Sequence, residues 1–215
     1  MARALGLIGI TSAQAAADIL GRFAGPSAAA AEIRILIDAN PDLAGASAMA
    51  RSLALAQAGS GLARAGAEVL ALADDLAGAD AGLVSDAAQR PVLDAIAPSV
   101  TAARDAGAQR VGVLSLRPAL KLYHEHLAAR GLSALFCARE SQSRLAAALE
   151  GNQGADELVL ACADELIGAG AQAIIAGPAK VGRLLEGRTG RVLLIDSTDQ
   201  LVRRCIDVCL GLTET

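Results

Sequence analysis

The sequence predicts an α/β protein of two pseudo-symmetric domains, each a parallel four-stranded sheet flanked by helices, with a ligand cleft between them. Three observations lead there. Short apolar runs alternate with amphipathic stretches, the pattern of parallel strands joined by crossover helices. The chain contains an internal repeat, in which Gly66 and Gly170 open similar segments 104 residues apart and Gly6 and Gly112 open similar segments 106 residues apart. Its 215 residues suit two units of about 100 residues each.

The elements follow in order. In the first half, strands are expected at Leu5 to Ile10, Ile33 to Asp38, Val69 to Ala73 and Val92 to Asp94. In the second they are expected at Val111 to Ser115, Ser133 to Cys137, Ala173 to Gly177 and Val192 to Ile195. Helical periodicity covers Ala13 to Phe23, Ser47 to Ala65, Pro118 to Arg130 and Asp156 to Ala169. Thr11-Ser12-Ala13-Gln14 has the T-x-x-Q spacing of a capping box at the first helix start. Near the end, Leu201, Cys205, Val208 and Cys209 share one helical face. The boundaries drawn from this reading are 1–98 for the first half and 99–198 for the second, joined near residues 97 to 109. The terminal segment 199–215 is expected to pack back on the first half, although nothing in its own residues selects between the two.

Composition narrows the function. The chain is 53% hydrophobic and 20% charged, so it can bury a substantial core. Phe23, Tyr123 and Phe136 are its only aromatic residues, which argues against base-stacking surfaces. A net charge of -4 and the absence of a Lys/Arg cluster supply no field for a phosphate backbone, so nucleic acid is not an expected partner. Gly, Arg, Asp or Glu interrupts each apolar stretch before it reaches membrane-spanning length, so no membrane association is expected. The segment from Met1 to Ala17 superficially imitates a signal peptide, but its run from Ala4 to Ile10 is short and reads as a strand entering a loop. The four cysteines, Cys137, Cys162, Cys205 and Cys209, form no C-x-x-C pair and read as reduced, buried thiols of a cytoplasmic protein. His124 and His126, two apart on a helix, make a poor metal pair, and no metal is expected. Phosphate-loop and dinucleotide-binding glycine motifs are absent from their required contexts.

Ligands of open parallel sheets bind beyond the carboxyl ends of the strands. The residues there are Thr11 and Ser12, Asp38 to Asn40, Asp74 and Asp75, Ser115 to Arg117, and Pro178 to Lys180. Ser12 could cap the first helix or hold an anion at its N-terminus. Asp75 reads as the cap of the helix after the third strand.

Five segments carry a family likeness: Gly6-Leu7-Ile8-Gly9-Ile10-Thr11-Ser12, the run from Gly66-Ala67-Glu68 to Asp74-Asp75-Leu76, Val111-Gly112-Val113-Leu114-Ser115-Leu116, the run from Gly170-Ala171-Gln172 to Pro178-Ala179-Lys180, and Asp196-Ser197-Thr198. Over nearly its whole length the chain resembles the aspartate/glutamate racemase superfamily, which includes hydantoin racemases, maleate isomerases and arylmalonate decarboxylases. The resemblance implies cofactor-independent isomerase chemistry on a small carboxylate or amino-acid-like ligand, and a homodimer. It also implies two cysteines, one per half, on opposite faces of the substrate α-carbon. The matching positions here hold Asp74 and Pro178, and the flanking Asn, Thr, Thr and Glu of the family pattern are Asp75, Leu76, Ala179 and Lys180. The family's G-T pair is Ser115-Leu116.

Two functions compete. The first is a pseudoenzyme that binds a small carboxylate through Thr11, Ser12, Asp75, Ser115, Arg117, Pro178 and Ala179 without ordinary racemisation. The second is a repurposed isomerase, racemase or decarboxylase with Asp74 as base and Lys180 as acid or anion clamp. A structural ion pair between Asp74 and Lys180 is the reading favoured over these catalytic roles.

Overall fold

The computed structural model describes residues 2–25, 28–151 and 154–214. Contacts divide the chain into one unit of residues 1–95 with 198–215 and a second of residues 96–197.

In the first unit, β1 (Leu5–Ile10), β2 (Ile35–Ala39), β3 (Val69–Leu72) and β4 (Val92–Leu93) form a parallel sheet in the order β2-β1-β3-β4. Leu5 pairs with both Ile35 and Val69, and Leu70 with Val92. Both faces are covered, so β1 and β3 are buried at every position. Leu5, Leu7, Val69 and Ala71 join one apolar cluster, while Ile8, Leu70 and Leu72 join another on the opposite face. Gly9, at φ 85, breaks this alternation where the register with β2 shifts, which returns Ile10 to the face of Leu7.

Helices α1 (Ala13–Ala24) and α9 (Ser197–Cys209) contribute Ile19, Phe23, Leu201, Val202 and Cys205 to the first face; α2 (Ala48–Arg64) and α3 (Ala81–Ala88) contribute Leu55, Leu62 and Val84 to the second. The Arg22–Asp199 ion pair ties α1 to α9, and Arg3 N–H donates to the Cys209 carbonyl at 2.8 Å.

The second unit repeats the plan. β5 (Arg110–Leu114), β6 (Ser133–Leu135), β7 (Ala173–Ala176) and β8 (Leu193–Asp196) pair in parallel in the order β6-β5-β7-β8. Around them lie α4 (Ile96–Asp105), α5 (Arg117–Ala128), α6 (Arg139–Gly151), α7 (Ala155–Gly168) and α8 (Ala179–Leu185). Val159, Cys162, Ala163 and Leu166 of α7 pack with Ile174 and Ala176 of β7. The two parallel four-stranded sheets flanked by helices are those the sequence predicts. Among the described residues no helix is long and apolar enough to cross a membrane.

Several details differ from the expectations. The stretch expected to join the halves contains α4, which buries Ile96, Ser99, Val100 and Ala103 at helical spacing and tolerates Pro98 in its first turn. Ile33 is buried but lies before β2, because its N–H closes a 3-10 turn on the Ala30 carbonyl at 3.2 Å. Ser12, not Thr11, caps α1, its Oγ accepting the Ala15 N–H at 3.1 Å.

All four cysteines are buried. Burial pushes the Cys209 thiol from the usual 9.0 up to about 11, Arg3 partly opposing the shift and Glu68 adding to it; burial also raises Cys205. A thiol held neutral by the fold contributes stability below its unfolded value, and that contribution is lost as pH rises through the folded value. Each pKa unit is worth about 1.4 kcal/mol. Urea unfolding at pH 8, 9, 10 and 11 should therefore show a loss of up to about 3 kcal/mol attributable to Cys209. Cys209→Ala should remove that part of the pH dependence. An unchanged slope in the variant would show that Cys209 is not held neutral by the fold.

Candidate functional site

Because all strands of a sheet run the same way, their carboxyl ends share one edge, and the polar residues of each unit gather there. In the first unit the loop after β1 carries Thr11, half-buried, and Ser12, exposed. Asp74 and Asp75 follow the neighbouring β3. A Cβ added to Gly9 would lie 3.8 Å from both the Asp74 backbone nitrogen and its Cβ, so the β1 end and Asp74 are close neighbours. The Ala73 N–H reaches the Ile8 carbonyl at 2.9 Å, and the Asp74 carbonyl accepts the Ala77 N–H at 3.0 Å. Asp74 thus sits in the turn leaving β3, with its carboxylate half-buried.

Asp75 differs from its expected role. It opens a 3-10 segment, Asp75–Asp80, and the residue at the N-terminus of α3 is Asp80. Asp80 gives α3 no side-chain cap; its Oδ1 accepts the Ser52 hydroxyl at 2.5 Å. Asp75 itself is 3% exposed, a carboxyl withdrawn from water at the edge where strands end.

At the β2 end, Asn40 donates its N–H to the Ile10 carbonyl at 2.8 Å and accepts the Asp42 N–H on Oδ1 at 3.0 Å. A pocket of about 310 Å³ opens beside it, between Asp38 and the α2 residues Ala54, Gln57 and Ala58. The sequence points to Asp38 and Asn40 by their place after a strand; Gln57 carries no sequence signal.

The second unit repeats the layout with other side chains. Ser115, after β5, is 4% exposed, and Leu116 precedes α5, whose first residue is Arg117. Arg117 is exposed and donates through Nη2 to Ser143 Oγ of α6 at 3.1 Å, so its guanidinium is shared with a neighbouring helix. On the adjacent strand the Gly177 N–H bonds the Leu114 carbonyl at 2.9 Å. Pro178 precedes α8, its carbonyl accepting the Val181 N–H at 2.8 Å, and half-buried Ala179 and Lys180 form the helix start. Ser197, after β8, donates its hydroxyl to the Gly177 carbonyl, and Thr198 is 5% exposed. Gly182 packs so closely on the end of β8 that a Cβ there would overlap the Asp196 carboxylate, with Cγ at 2.6 Å.

Each unit therefore collects its own part of the set: Thr11, Ser12, Asp74 and Asp75 in the first, and Ser115, Arg117, Pro178, Ala179 and Lys180 in the second. Asp196 and Ser197 belong with the second group, and Thr198 begins the segment of the first unit that follows them. Their family-like run points to them, but their packing becomes visible only through Gly182 and Gly177. His124 lies against Phe136, with ring centroids 6.2 Å apart. Among the described residues no group of three or more His, Cys, Asp or Glu is placed to hold a metal ion.

The model of the family described as Asp/Glu/Hydantoin racemase matches residues 5–205, nearly the whole chain. The chain belongs to that family. No curated protein sequence matches it significantly. An aspartate racemase homologue from Pyrococcus horikoshii superposes with a TM-score of 0.77 at 17% identity, covering 98% of this chain and 100% of that one. Picrophilus torridus aspartate racemase gives 0.77 at 13% identity, over 96% and 94% of the two chains. Glutamate racemase from Francisella tularensis, solved with D-glutamate, gives 0.71 at 16% identity, over 99% and 84%. At these identities the racemase structures establish the fold.

The contact of Gly182 with Asp196 is open to a double-mutant test. Gly182→Ala should destabilise the protein by about 1–3 kcal/mol, since a methyl group there must displace a carboxylate at a strand end. Adding Asp196→Ala should recover part of that loss as a coupling of at least about 0.5 kcal/mol in urea unfolding. Strict additivity of the two changes would place the strain elsewhere.

Proposed function

We propose that this racemase-family protein binds a small amino-acid-like carboxylate and does not racemise it by the two-cysteine route. One observation carries the reading: the residues that leave β3 and β7 are Asp74 and Pro178, while the four cysteines lie after β6, on α7 and on α9. Pro178 has no proton to give or take, and its carbonyl is already engaged at the start of α8.

The side chains that remain suit a ligand that carries an ammonium group beside its carboxylate. Asp74 and Asp75 supply negative charge that would attract the ammonium group. Lys180 and the Ser115 hydroxyl supply a cation and a donor for one carboxylate. Ser12 is occupied as the acceptor of the Ala15 N–H, yet its own O–H is free to donate to a ligand.

Titration of the full-length protein with L- and D-aspartate, L- and D-glutamate and substituted malonates, followed by calorimetry, tests this directly. The amino acids should bind and the malonates, which lack the ammonium, should bind at least about tenfold more weakly, the cost of a lost charged hydrogen bond. Lys180→Ala should weaken the amino acids by a similar factor. Malonates binding more tightly than amino acids, or no loss in Lys180→Ala, would contradict the assignment.

A further inference from the structure

Two of the four thiols lie together outside the strand-end positions discussed above. Cys137 is two residues past β6, and Cys162 is in the middle of α7. The Cys137 S–H points at α7, with its Sγ 3.5 Å from the Cys162 carbonyl oxygen. A second contact holds the same segment in place: Glu165 Oε1 accepts the Ala138 N–H at 2.6 Å. The chain leaving β6 is therefore fastened to α7 on consecutive residues, with the Cys137 sulfur against the helix at Cys162. Cys137 is 5% exposed and Cys162 1%, but Ala138, Arg139 and Glu140, immediately after Cys137, are exposed, so the pair lies just under the surface. Cys205 and Cys209, by contrast, are packed into the cluster between α9 and the first sheet.

We propose that Cys137 and Cys162 are an oxidation site, at which a hydroperoxide joins them into an intramolecular disulfide that pins the carboxyl end of β6 to α7. The hydrogen bond from Cys137 lowers the Cys162 thiol from its usual value, with Arg144 assisting and burial and Glu165 opposing; the same bond and burial raise Cys137. Cys162 is accordingly the attacking thiolate. Its sulfur takes the terminal oxygen of the peroxide, the O–O bond breaks, and hydroxide leaves to be protonated, giving a sulfenic acid at Cys162. The Cys137 sulfur then attacks the Cys162 sulfur, the S–O bond breaks, and water leaves with the Cys137 proton. Two thiols and one hydrogen peroxide give one disulfide and two waters, a two-electron oxidation of the protein.

The test exposes the reduced full-length protein, under native conditions, to hydrogen peroxide. The protein is then unfolded, its remaining thiols are alkylated, and it is digested for mass spectrometry. The expected product is a cross-linked peptide pair containing Cys137 and Cys162, lighter by two hydrogens than the thiol peptides and separated again by dithiothreitol, with Cys205 and Cys209 alkylated. In Cys137→Ser the reaction should stop at a Cys162 sulfenic acid that dimedone traps. Recovery of Cys137 and Cys162 as alkylated thiols would overturn the proposal, as would their conversion to sulfinic acids without a cross-link. So would a cross-link that forms only in urea, or earlier oxidation of Cys205 or Cys209. The wild-type peptide map decides the matter even if the serine variant folds poorly.

Discussion

Close approach of helices to sheets is the constraint on which the rest of this structure depends. With three aromatic residues and no Trp, the core is filled by Ala, Leu, Val and Ile, and helices must come near enough for small side chains to exclude voids. Glycine makes that possible at specific points. A Cβ at Gly6 of β1 would meet Leu62 Cδ1 of α2 at 3.1 Å, one at Gly59 of α2 would meet Leu70 Cδ1 of β3 at 3.4 Å, and one at Gly112 of β5 would meet Leu166 Cδ1 of α7 at 3.0 Å. Gly6 and Gly112 occupy corresponding places on β1 and β5, so both units seat the helix preceding β3 or β7 against the central strand in the same way. Gly182 extends the principle to the strand-end edge, where it admits the Asp196 carboxylate.

Function follows from what this tight scaffold presents at its edge. Two sheets of the same order and polarity place the residues after β1 and β3 together, and those after β5 and β7 together. The framework is that of a racemase family, and the side chains on it differ in chemistry from the pattern the sequence resembles. The pattern the sequence resembles has thiols and amide or hydroxyl donors where this chain has Asp74, Asp75, Pro178 and Ala179, and the proposed binding role rests on that difference. Binding and turnover are separable on one framework because they depend on different atoms: binding needs complementary charge, whereas racemisation needs a proton acceptor and donor on opposite faces of one carbon.

The sequence made the central strands legible because they are buried on both faces and read as unbroken apolar runs. The repeat located their partners in the second half. Short helices were harder. α8 spans seven residues, and α6 is built largely of Arg, Glu, Gln, Ser and Ala, so neither shows a clear apolar stripe. The candidate residues were legible as positions after strands and as family-like motifs, but their surroundings were not. Asp75 looks like a cap in sequence and is a buried carboxyl at a 3-10 start; Arg117, a candidate ligand contact in sequence, bonds Ser143, 26 residues away. The neighbouring Cys137 and Cys162 match no spacing motif, since a strand end and a helix bring them together.

The most direct test of the binding reading is exchange of the α-proton of bound amino acids in heavy water, followed by NMR on L- and D-aspartate and L- and D-glutamate. Binding that broadens or shifts the ligand signals while the α-proton intensity stays constant, with no appearance of the opposite enantiomer, is the result expected of a site without opposed bases. Loss of the α-proton signal at a rate proportional to protein concentration, abolished by Asp74→Ala, would contradict it and establish Asp74 as a base in a working enzyme.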